Sequence, residues 1–250
     1  AIGDPTMPMK VLAGLGSVDS AEPSFVLWDI SRKVRNSEFL TGEFDAGVEG
    51  LLDRLASSNN ADVADFLDDW NDFIVRFGCR GPNEWEVSAN SWETKPELAL
   101  ALLDRVRLQD DSEAPEIRQS AKTAERQEVV EGVRATLAEM GNEELIGMFE
   151  GALVAGNMME FRERTKTNLV RVINESRVIF YELGNRMATE GHLKEPTHIF
   201  MLLDEELESF VSNPSDFTEQ LAQRASDYEQ LWTIEPPFFV KDGVVPPMTE

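Results

Sequence analysis

The chain has 250 residues, 42% hydrophobic and 28% charged, a balance that excludes a disordered or fibrous polymer and is enough for a sizeable core. Its 47 acidic against 23 basic residues give a formal net charge of −24, which repels nucleic-acid backbones and anionic membrane surfaces. A single cysteine, Cys79, excludes an internal disulfide and a cysteine-rich metal site. No run approaches the roughly 18 apolar residues of a membrane span, and the start lacks a signal-peptide pattern, so a cytoplasmic location is expected. The absent initiator Met and the ending Met248-Thr249-Glu250 are expected of a fragment of a longer chain.

Residues 1–24 hold Gly3, Gly14, Gly16 and three prolines around one apolar run, Val11-Leu12-Ala13, and read as loop. Phe25, Trp28 and Val34 space out a short amphipathic helix over residues 25–40, and Phe44, Val48, Leu51, Leu52 and Leu55 predict another. Val63, Phe66, Trp70, Phe73, Ile74 and Phe77 repeat the pattern over residues 61–77, with Asn59 or Asn60 as cap and Gly78 as the stop. Residues 81–92 read as a structured loop carrying Trp85 and Trp92, after which Pro96 opens a helix to about Leu108. Helices are predicted over residues 115–140, 143–157 and 158–190, the last and longest stopped by Gly191. Two more cover residues 204–211 and 216–231. Beyond Trp232 the prolines at 236, 237, 246 and 247 forbid regular helix. The expected fold class is therefore all-α, with long amphipathic helices and a structured Gly/Pro/Trp loop. A helical domain (residues 25–232) lies between a loop-rich segment (1–24) and an extended Pro-rich tail (233–250).

Little self-contained chemistry is visible. Glu195-Pro196-Thr197-His198 fits Glu-x-x-His, but Pro196 interrupts a helical half-site and no second copy exists, so no metal site is expected. Gly14-Leu15-Gly16 lacks the rest of a nucleotide loop, and no Gly-x-Ser-x-Gly nucleophile motif or base beside Cys79 occurs. Two polar clusters remain. Arg80 and Glu84 bracket the turn Gly81-Pro82-Asn83, a geometry that can hold a loop by ion pairing or aim a guanidinium at an anion. Arg162, Arg164, Lys166 and Arg171 form a basic knot in an acidic chain, readable as an anion-attracting spot or as a salt-bridged, solvated helix face.

Those residues carry a resemblance to the region between the ATP-grasp and swivelling phosphohistidine domains of rifampin phosphotransferase-like, phosphoenolpyruvate-utilising enzymes, phosphoenolpyruvate synthase among them. It runs through Leu12-Ala13-Gly14-Leu15-Gly16-Ser17, Leu27-Trp28, the segment from Phe77-Gly78-Cys79-Arg80 to Glu84 with Ser91-Trp92 after it, Phe161-Arg162-Glu163 with Lys166, Ile199-Phe200, Glu205-Glu206-Leu207 and Pro236-Pro237. Asn83 stands where the family usually has Gly, and Ser91 where it usually has Arg. The family's phospho-carrier histidine lies in a separate domain, and neither His192 nor His198 has its Ser-His setting, so phosphorylation of this chain is not expected.

The resemblance implies a relay, in which an ATP-grasp unit phosphorylates the swivelling histidine, which then delivers the group to an acceptor seated on this chain. The implied seat has apolar walls from Phe25, Trp28, Trp85, Met158 and Met159, side chains that by themselves read as core packing, with Arg162 and Lys166 stabilising the transferring phosphoryl group. Arg80, Glu84 and Glu163 complete the implied substrate-binding set. The implied acceptor is a small hydrophobic molecule, alcohol or phenol. No cofactor is implied for this chain itself, ATP and Mg²⁺ belonging to the parent enzyme, and the fragment alone is not expected to be catalytic. The alternative is a non-catalytic helical binding or scaffold module of the same fold.

Overall fold

The computed structural model describes residues 6–12, 20–235 and 240. Eleven α-helices and four 3-10 turns, with no β-strand among the described residues, make the fold all-α, as the periodicity predicts. The helices fall into two compact units: residues 1–85 with 89–172, and residues 86–88 with 173–250.

The first unit contains α1 (Met7–Leu12), α2 (Glu22–Asn36), α3 (Glu38–Asp45), α4 (Leu51–Ala56), α5 (Ala61–Phe77), α6 (Glu97–Arg107), α7 (Pro115–Met140), α8 (Glu143–Asn157) and the start of α9 (Met159–Thr189). Its core follows from the stripe on α5. Val63, Phe66, Trp70, Phe73 and Phe77 recur at intervals of three and four, so they share one face, and all five are buried. Phe66 stacks on Trp70 (6.3 Å between centroids), Trp70 on Phe73 (5.7 Å), and Phe73 on Trp92 (5.5 Å). Leu27, Ile30 and Val34 of α2, Leu40 and Phe44 of α3, Leu51 and Leu55 of α4, and Ala99, Leu100 and Leu103 of α6 close around them. Each large side chain so buried contributes on the order of 1.5–3 kcal/mol.

The predicted helices over residues 25–40 and 44–55 are both divided. Ser37 is extended (φ −106°, ψ 118°), and its hydroxyl accepts from the Leu40 N–H and donates to Asp62 at 2.5 Å, so it ends α2 and caps α3. Further on, Gly47 (φ 104°) and Gly50 (φ 64°) take left-handed backbone conformations that no helix accommodates. Arg54 fastens that turn by donating to the carbonyls of Glu43, Gly47 and Glu49 at 3.0, 2.6 and 2.7 Å, and it pairs with the Glu43 carboxylate. Amphipathic periodicity continued across both breaks because it records which face is buried, not where the chain turns.

At the start, residues 7–12 are helical where loop is expected, and α2 begins at Glu22 with Pro23 in its first turn. The Gly14-Leu15-Gly16 turn and the tail, apart from residues 233–235 and Val240, lie outside the described residues. The helices predicted over residues 61–77, 115–140 and 143–157 match α5, α7 and α8, and Pro96 precedes α6. The prediction for residues 158–190 differs from α9 by one residue at each end.

The second unit is built from α9 beyond Val172, α10 (Leu207–Ser212), α11 (Thr218–Leu231) and residues 86–88. The helices predicted over 204–211 and 216–231 each open as a 3-10 turn, Asp204–Glu206 and Pro214–Phe217. Leu193, Ile199, Phe210 and Leu221 form its core, with Phe180, Leu183 and Met187 of α9 packed against it. Gly184 is required there, since a Cβ would lie 2.2 Å from the Pro196 carbonyl oxygen. Gly191 (φ 81°) turns the chain after α9, and the His192 N–H returns to the Met187 carbonyl at 2.8 Å. Arg177, 1% exposed, donates to the Glu86 carbonyl and to Asn174, both at 2.9 Å, and Tyr181 donates to the Ser88 carbonyl at 2.8 Å.

Candidate functional site

The first unit holds the residues of interest, beginning where α5 ends. The loop after Gly78 returns on itself: the Trp92 N–H bonds the Arg80 carbonyl at 2.8 Å and the Glu93 N–H bonds the Gly78 carbonyl at 2.9 Å. Gly81 permits this, because a Cβ there would meet the Asn90 carbonyl oxygen at 2.6 Å. Ser91 is buried, and its backbone N–H donates to the Thr94 hydroxyl at 2.9 Å while its own hydroxyl accepts from the Thr94 N–H at 3.3 Å. With Trp92 stacked into the α5 core, the loop is a fixed platform.

On this platform Arg80 is 5% exposed. It donates to Glu84 at 3.1 Å and to the hydroxyl of Thr167 on α9 at 2.9 Å. The other Glu84 oxygen meets the Lys166 ammonium at 3.0 Å. Arg80, Glu84, Lys166 and Thr167 are thus one connected set, whose partly buried charge-assisted bonds hold the loop against α9. Burial fits Arg80 for bracing Glu84 more than for meeting a ligand. Lys166 keeps about a third of its side chain exposed.

Lys166, Arg80, Glu84 and Gly81 line a cleft of about 770 Å³. One wall is apolar: Pro23, Phe25, Leu27 and Trp28 of α2, Leu102 and Val106 of α6, and Trp92. Another is polar, formed by Pro115, Arg118, Gln119 and Lys122 of α7 with Glu113 before it. Trp28 is fixed, as the Arg32 guanidinium lies 3.9 Å from its ring centroid and donates to the Val106 and Gln109 carbonyls at 2.6 and 3.0 Å. A shallower depression of about 540 Å³ is lined by Trp85, Arg162, Glu163, Thr165, Lys166 and Leu169. Lys166 is the side chain common to both.

The structure therefore brings Arg80, Glu84, Lys166, Trp28 and Phe25 to one cleft, and Arg162, Glu163 and Trp85 to the depression sharing Lys166. Arg162 is exposed and donates to Glu163 at 2.8 Å. Met158, at the end of α8, is 65% exposed and lines neither. Sequence reading missed Thr167, Arg118 and Lys122. The last two stand four apart on α7, the spacing that flagged Arg162 and Lys166. Burial pushes the Cys79 thiol above its ordinary value, leaving it a poor nucleophile. In the second unit Glu195-Pro196-Thr197-His198 enters a 3-10 turn, and no group of three or more His, Cys, Asp or Glu side chains among the described residues could hold a metal. No helix among the described residues is long and apolar enough to cross a membrane.

The first unit is thus a helical platform whose main cleft has apolar side chains from α2 and α6 and polar ones from α7. The chain belongs to the rifampicin phosphotransferase fourth-domain family, whose model matches residues 3–163. Lys166 and Thr167 lie just past that match. Similar proteins include uncharacterized proteins of Mycobacterium tuberculosis (strain H37Rv) and Mycobacterium bovis, each 28% identical over 166 residues, or 66% of this chain. The match covers 16% of each relative's length, so the chain corresponds to about one sixth of them.

Proposed function

We propose that the chain is the acceptor-binding domain of an ATP-dependent phosphotransferase, seating a small organic molecule to which a phosphohistidine domain delivers phosphate. The observation carrying this reading is the pair of depressions that share Lys166, one with an apolar wall and one bearing Arg162. An apolar acceptor body suits the Trp28 wall. Lys166, held by Glu84 and reached from both depressions, is positioned to neutralise charge developing on a phosphoryl group in transfer, with Arg162 beside it. Arg80 and Glu84 position Lys166 and the loop. ATP and Mg²⁺ would be handled by an ATP-grasp partner, in the same polypeptide or as a subunit, and none of this chain's own residues is assigned to them.

The test joins the chain to its native flanking segments and follows AMP formation with ATP and a panel of phenols, rifamycins and pyruvate. Acceptor-dependent AMP that falls at least about a hundredfold in folded Lys166→Ala, and less in Arg162→Ala, supports the reading. No acceptor-dependent AMP, despite a phosphorylatable histidine partner, would favour a non-catalytic helical module.

A further inference from the structure

The main cleft has a charge opposite to that of the molecule around it. Its lining carries four cationic side chains, Arg80, Arg118, Lys122 and Lys166, and two anionic ones, Glu84 and Glu113. The whole chain is −24. Glu84 is shared by Arg80 and Lys166, and Glu113 pairs with Arg118. The Lys122 side chain, exposed on α7, makes no ion pair or hydrogen bond among the described residues. An exposed lysine elsewhere on such a surface has abundant carboxylates to meet. This one faces a cleft whose acids are already engaged.

The helix ends near the cleft bias it the same way. At the C-terminal end of α6, a source of negative potential, Arg32 donates to the Val106 carbonyl and to that of Gln109 just beyond the helix. The first turn of α7, with Pro115 and Arg118 on the lining, presents the opposite end of a helix dipole. The acidic exterior meanwhile repels polyanions, which restricts an incoming anion to a small one.

We propose that the cleft takes an organic anion with an apolar body, an aryl or alkyl carboxylate, with Lys122 as the cation that selects its charge and the Trp28 wall as the seat of its hydrocarbon. This rests on the acceptor-seat reading and adds the acceptor's chemical class and a specificity residue on α7. Lys122 is a binding residue and takes no part in phosphoryl transfer.

Calorimetric titration of the chain with 2-naphthoate and its neutral isostere 2-naphthamide tests the inference. The carboxylate is expected to bind about tenfold tighter at low salt, and the preference should shrink as ionic strength rises. Lys122→Gln should bring the two ligands within about twofold, and Lys122→Arg should retain the preference. Lys10→Gln, removing a lysine that pairs with Glu125 away from the cleft, should leave the preference unchanged. Equal binding of acid and amide, or a preference surviving Lys122→Gln, overturns the inference while leaving the acceptor-seat reading to its own AMP assay. Absence of saturable binding by either probe also overturns it.

Discussion

The two units reach order by different means. In the first, one aromatic helix stripe is surrounded by four further helices, and the cleft-forming loop is pinned to that stripe through Trp92. The second has a core of four buried side chains, held by a close backbone approach at Gly184 and by side chains bonding to carbonyls. A large apolar core distributes its stability, so a loop resting on it can carry exposed charges. A small one concentrates stability in a few contacts whose loss has local effects.

Removing the centre of the ring stack is the strongest test of the first half of that contrast. Phe73→Ala, at a position with no exposed surface and contacts to Trp70, Phe77 and Trp92, should cost about 3–5 kcal/mol in chemical denaturation. It should also weaken naphthoate binding in the cleft as the loop loses its anchor. In the second unit Gly184→Ala should cost about 1–3 kcal/mol, with faster amide exchange around residues 196–201, because the new methyl meets backbone instead of a flexible side chain. Unchanged stability would show that the Pro196 segment yields easily.

Ser37→Ala isolates a smaller contribution within the first unit. It removes the α3 cap and a bond to Asp62, and thermal unfolding should register about 1 kcal/mol. The smallest effect is electrostatic. Hydrogen bonds from Arg224, then from the Leu203 N–H, lower the Glu206 carboxyl to about 2. Being depressed on folding, it adds stability that is fully present above the ordinary carboxylate range and is lost as pH falls from about 4.5 towards 2. Glu206→Gln should flatten this acid limb, followed on the ring signals of Phe210 and Phe217. An identical limb in the variant would assign the acid response to other carboxylates.

The sequence made the α5 stripe visible because burial on one face leaves a period of 3.6. The divisions at Ser37 and Gly47–Gly50 were hidden: Ser and Gly also occur inside helices, and here a side-chain bond and positive φ values decide the outcome. At the site, Arg80, Glu84 and Lys166 stood out by residue type and resemblance, but their connection depends on α9 returning to the loop after α5. Thr167 had no signal, since a threonine acquires meaning there only by accepting from a buried guanidinium. Lys122 was obscured by α7, whose charges occur around the whole helix and mask any one face.

Arg32 bears on the proposed acceptor seat. Its guanidinium stacks on Trp28 and bonds the Val106 and Gln109 carbonyls, the Asp111 carboxylate at 2.8 Å and the Ser31 hydroxyl at 3.1 Å. The indole is therefore braced by an anchored guanidinium within the folded chain. Ordering such a side chain on association ordinarily costs about 0.5–1.5 kcal/mol, a penalty already met during folding here. Rigid guests with a flat hydrocarbon face should gain most from this wall, and flexible ones should lose affinity through their own freedom rather than the protein's.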